Sequence, residues 1–83
     1  MPLFMDIHYH VEGLTADVVA SAYQAELQAQ EKYGVKYLRH WLDEERHNIF
    51  FLVEASTREA ASAFDREAHG LIADEIIQVS EDV

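Results

Sequence analysis

The sequence predicts an α+β domain of ferredoxin-like type, βαββαβ, with a four-stranded antiparallel sheet and both helices on one face. Three observations predict it. Alternating apolar residues at the amino terminus give way to a long segment rich in Ala, Glu and Gln; two β-branched and aromatic runs flank one polar hexapeptide; and a second, capped helical segment precedes a short apolar run. Eighty-three residues suit one core, so residues 1–83 are read as a single domain.

Residues 3–11 alternate, with Met5, Ile7, Tyr9 and Val11 on one face and Phe4, Asp6, His8 and His10 on the other, which is the period of a strand. Gly13 makes a turn, and Thr15 is an N-cap for a helix over residues 16–33, whose stripe is Val19, Tyr23, Leu27 and Gln30. Gly34 stands where a left-handed residue closes a helix. Residues 35–42 and 49–54 are strands two and three, joined by the polar loop 43–48. Ser56-Thr57-Arg58-Glu59 forms a capping box that opens a helix over residues 57–69, with Ala60, Ala61, Phe64 and Ala68 on one face and Gly70 as its stop. Residues 75–79 are the last strand, and an acidic tail follows.

This order leaves one sheet face without helices. Strand three is apolar on both sides, Ile49, Phe51 and Val53 against Phe50 and Leu52, so the second face needs a cover. In so small a domain a second copy of the chain is the simplest one, and a homodimer is expected.

Sixteen acidic residues against six basic give a formal charge of -10, a field that repels phosphate backbones and attracts cations. Nucleic acid is excluded as a natural partner. The excess lies in residues 1–34, with five acids and one base, and in residues 59–83, with seven and one; residues 35–58 balance at four of each. Nothing approaches ~20 consecutive apolar residues, so no membrane span is expected. The absence of cysteine removes disulfides, thiolate nucleophiles and thiolate metal sites, and suits the cytoplasm. No G-x-S-x-G and no phosphate-binding loop is present, which leaves acyl transfer and nucleotide hydrolysis unsupported.

Chemistry concentrates in Asp6-x-His8-x-His10. Alternate side chains of a strand project to one face about 6.5–7 Å apart, within reach of one ion. Neutral imidazole binds Ni, Cu and Zn, and carboxylates supply charge, so any site in this chain takes N and O donors only. A plain polar strand face fits the same pattern. His40 lies on strand two, in alternation with Lys36, Leu38 and Leu42, while Glu54 closes strand three beside strand one and is expected to approach the Asp6/His8/His10 row. His69 falls at a helix end, where imidazolium is favoured. His47, in the polar loop, is a surface residue. His8 or His40 with Asp6 also composes a general base.

Four stretches carry a resemblance: Phe4-Met5-Asp6-x-His8, Gly13-x-Thr15, Phe51-Leu52-x-Glu54-Ala55, and Ala68-His69-Gly70-Leu71-x-Ala73-Asp74-Glu75-Ile76. Over residues 4–79 the chain resembles the small nickel-binding proteins of the DUF4242 family. The resemblance implies a ferredoxin-like homodimer that binds Ni²⁺ through His and carboxylate side chains, with sequestration or metal tolerance as the role. Members often carry a second His four residues before that of the Ala-His-Gly block; this chain has Asp65 there, a weaker and less selective ligand.

The expected function is divalent transition-metal binding, nickel foremost, without catalysis. The expected ligands are His8, His69 and Glu54 first, then Asp6, His10, His40 and Asp65. The rival is a cofactor-free oxygenase or isomerase of the dimeric α/β-barrel kind, recognisable by an apolar pocket of several hundred Å³ into which an imidazole points. A module docking a different protein on the bare sheet face is the third reading.

Overall fold

A computed structural model describes residues 1–69 and 72–82, with His69 described by its backbone alone. Among these the element order is β1 (Leu3–His8), α1 (Ala16–Tyr33), β2 (Lys36–Asp43), β3 (Asn48–Glu54), α2 (Arg58–His69) and β4 (Glu75–Val79). The strands form one antiparallel sheet in the order β2-β3-β1-β4. This is the predicted ferredoxin-like α+β fold, with Ala29 of α1 and Ala61 and Phe64 of α2 packed in one core against Phe4 and Val53 of the sheet.

Cross-strand partners fix the two faces of the sheet. Phe4 pairs with Val53, Asp6 with Phe51 and His8 with Ile49, so this row lies on the face that the helices cover. Met5 pairs with Leu52 and Ile7 with Phe50, on the face that they leave bare. The helix-covered core has two parts. One gathers Phe4, Ala29, Val35, Val53, Ala55, Ala61 and Phe64; the other, smaller, is Val19, Ile49 and Phe51, with Val11, Leu14 and Leu42 packed on its edge. Phe51 and Phe64 are essentially sealed from solvent, and emptying either site would cost about 3–5 kcal/mol.

Local chemistry sets the boundaries. The Thr15 hydroxyl accepts from the Val18 N–H at 3.2 Å, and Gly34, at φ 65°, closes α1 with its own N–H on the last carbonyls. At α2 the Ala60 N–H donates to the Thr57 hydroxyl at 3.0 Å, so Thr57 rather than Ser56 caps that helix. The predicted stop at Gly70 lies outside the described residues.

Two departures reorganise the candidate site. β1 ends at His8, three residues earlier than the alternation implies, because His10 turns into the left-handed region at φ 52° and its N–H goes to the Asn48 side chain at 3.0 Å. In β2 the pairing slips between Tyr37 and Arg39, a bulge that places Leu38 out of register. Beyond it the parity reverses: His40 pairs with Phe51 on the helix-covered face, sharing it with Tyr37 and Leu42 rather than with Lys36. A bulge is invisible to a strict period of two.

Candidate metal centre

Asp6 and His8 enter the interior because β1 presents them between the sheet and the helices, and Asp65 meets them from α2. Asp65 belongs to the buried side of that helix with Ala61 and Phe64, one residue beyond Phe64 and a turn beyond Ala61. All three are buried: Asp6 is 1%, His8 4% and Asp65 0% exposed. His8 Nε2 lies 3.1 Å from Asp65 Oδ1 and 3.1 Å from Asp6 Oδ1. The His8 ring stands edge-on to Phe51, their planes at 86°, which fixes its orientation.

The electrostatics of this cluster follow from burial and from two acids sharing one imidazole. Burial pushes the Asp6 carboxyl up to about 7; the hydrogen bond from His8 opposes the rise and the neighbouring Asp65 adds to it. At His8 burial works against the cation, but the hydrogen-bonding carboxylates of Asp6 and Asp65 outweigh it and push the imidazole up to about 10. Without a metal, the cluster holds a proton tightly.

One nitrogen and two carboxylate oxygens, all within 4.8 Å of one another, also form a donor set for a divalent ion. The 3.1 Å separations compare with roughly 3.0 Å between adjacent ligands of an octahedron whose bonds are about 2.1 Å long. Two carboxylates balance a dication, and the imidazole adds the borderline-soft donor that nickel, copper and zinc prefer to magnesium or calcium. Among the described residues this is the one such group of three or more.

The other expected ligands are placed as follows. Glu54 pairs with Leu3 and so stands on the bare face, at the opposite end of the sheet from His8; antiparallel pairing with β1 brought it beside the strand but on the wrong side. His10 has left the strand and is exposed. His40 is on the right face but its Nδ1 is hydrogen-bonded to the Tyr37 hydroxyl, within a ring cluster of Tyr23, Tyr37, His40 and Phe51. His69 follows Asp65 by four residues in α2, and its side chain lies outside the described residues.

Glu26 was not anticipated. It is sealed inside at 0% exposure and acts on the Tyr37 hydroxyl, which burial and then the charge of Glu26 push up to about 12. Its signal in the sequence was available: three residues after Tyr23 and seven after Val19, it interrupts the apolar stripe of α1 with a carboxylate. Beside His8 lies a cavity of about 280 Å³ between α1, the sheet and the end of α2.

No curated protein matches the chain. Among solved structures, SCO4226 from Streptomyces coelicolor A3(2) is similar, with 32% sequence identity and a TM-score of 0.88 over 98% of this chain and 99% of that one. The model of the "Nickel responsive protein SCO4226-like" family matches residues 4–79, which include Asp6, His8 and Asp65, and the chain belongs to that family.

Proposed function

We propose that this chain binds a divalent transition metal, nickel foremost, at Asp6, His8 and Asp65, and that it does so to sequester the ion rather than to catalyse a reaction. The observation that carries this reading is the convergence of one imidazole and two carboxylates, all buried, within 4.8 Å. Membership of a family described as nickel responsive supports the choice of ion. His69, on its spacing from Asp65 alone, is the natural further nitrogen donor. In this reading residues 1–83 act as one cytoplasmic metal-binding domain, paired with a second copy through the bare sheet face. Among the described residues no helix is long and apolar enough to cross a membrane.

Copper binds such donors at least as well as nickel by the Irving–Williams order, so selectivity rests on geometry or on metal supply. The ion must also displace the proton that the two carboxylates hold on His8. Calorimetric titration with Ni²⁺ in two buffers of different ionisation enthalpy therefore tests the proposal. It predicts between about one and two protons released per ion near neutral pH, one from His8 and part of one from Asp6, weaker binding one to two pH units lower, and a loss of at least about 100-fold in affinity for His8→Ala. Unchanged affinity in His8→Ala would refute the site.

A cofactor-free oxygenase or isomerase is favoured by one observation, the cavity beside His8. The surroundings of the imidazoles weigh against a general base in it. Held up to about 10, His8 is protonated at neutral pH and has no lone pair for a substrate proton, and His40 is engaged by Tyr37. Binding therefore stands ahead of catalysis.

A further inference from the structure

The cavity beside His8 has a character of its own. Its described lining is aliphatic and aromatic, with Val11, Leu14, Val18, Val19, Ile49 and Phe51 around it and small residues, Ala22 and Ala68, on the two helices. Polar side chains enter at two points: His8, 4% exposed, at the floor, and the exposed Ser21 at the rim. The space is a cleft open to solvent at its Val18 and Ser21 side, and its apolar walls suit apolar guests; about 150 Å³ is enough for benzene. At about 280 Å³ this cavity has nearly twice that capacity.

Its position explains why it exists. The smaller core contains Val19, Ile49 and Phe51, and the side chains on its edge, Val11 and Leu14, belong to the segment that leaves β1 early at His10 and enters α1. Because β1 stops at His8, the chain passes over this end of the sheet instead of packing along it. Small side chains at Ala22 and Ala68 then leave the gap unfilled from both helices.

We infer that this cavity binds a compact organic molecule, a single ring of about eight to ten heavy atoms with one polar substituent, whose ring lies against Val19, Ile49 and Phe51. The polar substituent faces His8 or Ser21, the two polar side chains of the described lining. This binding is independent of nickel, and its test is run on metal-free protein so that failure of the metal centre does not affect it.

The probe is p-cresol, followed by methyl NMR of the whole chain. The expected result is saturable shifts of the Val11, Leu14, Val19 and Ile49 methyls with a dissociation constant below about 1 mM. Ala22→Phe, which fills the space from α1, is expected to weaken binding at least tenfold. Should that variant unfold, Ala68→Leu fills it from α2. Shifts that fail to saturate in the parent protein, shifts centred on Met5 and Ile77 of the bare face, or undiminished binding in a folded filled variant would each overturn the inference.

Discussion

At His8 two buried carboxylates share one imidazole nitrogen, and this decides how each variant behaves. Removing the ring leaves Asp6 and Asp65 facing each other without a cation, so His8→Ala is expected to cost about 3–5 kcal/mol of metal-free stability. Asp6→Asn relieves the crowding of two acids and should cost well under that, while still weakening nickel binding at least tenfold. Chemical unfolding of both variants separates these outcomes. The pH dependence has a definite sign. Both groups have native pKa values above their ordinary ones, Asp6 near 7 instead of 3.8 and His8 near 10 instead of 6.5. Their contribution is complete below the ordinary values and is lost as pH rises through about 7 and then about 10. Metal-free protein should therefore melt lower on going from mildly acid to alkaline pH. Nickel should reverse the slope, because it gains affinity as protons leave. Parallel slopes with and without Ni²⁺ would contradict this.

At the scale of elements, capping and periodicity were legible in the sequence and register was not. α1 and β4 have their predicted bounds because a Thr cap, a left-handed glycine and a short isolated apolar run are local signals. Gly34→Ala is expected to cost about 1–2 kcal/mol in thermal unfolding, since an added Cβ meets nothing within 4 Å and the penalty is the φ of 65° alone. Strand-face assignments were less secure. Alternation put His8 and Asp6 on one face correctly, but a left-handed turn at His10 and the slip at Leu38 are set by distant partners, Asn48 and β3. Which end of β3 opposes His8 is also a property of the assembled sheet, so the sequence could bring Glu54 to strand one without placing it on the bare face. Asp65 entered the expected ligands only through the family resemblance, which puts a His there. Its burial beside Ala61 and Phe64, like that of Glu26 in α1, is a signal that a carboxylate on the apolar side of a helix offers and that the sequence reading did not use.

On the scale of the whole molecule, the uncovered side of the sheet carries Met5, Phe50 and Leu52 around a buried Ile7, with Trp41 and Ile77 45% and 42% exposed on the flanking strands. An apolar surface of this kind calls for a cover, and the proposal gives that place to a second copy of the chain, against the mutual repulsion of two chains of charge -10. Ile77→Arg, at an exposed position where folding has little to lose, should convert a dimer to a monomer in analytical ultracentrifugation; a monomeric parent protein would remove the homodimer from the account. The Asp6, His8 and Asp65 cluster faces the other side of the sheet, so the proposed nickel binding should not depend on the oligomeric state. The most direct measurement is anomalous scattering at the nickel absorption edge from crystals soaked in Ni²⁺. The account predicts a peak within about 2.0–2.3 Å of His8 Nε2 and of a carboxylate oxygen from each of Asp6 and Asp65. Nickel bound elsewhere on the surface, with the His8 imidazole still paired to both acids, would contradict it.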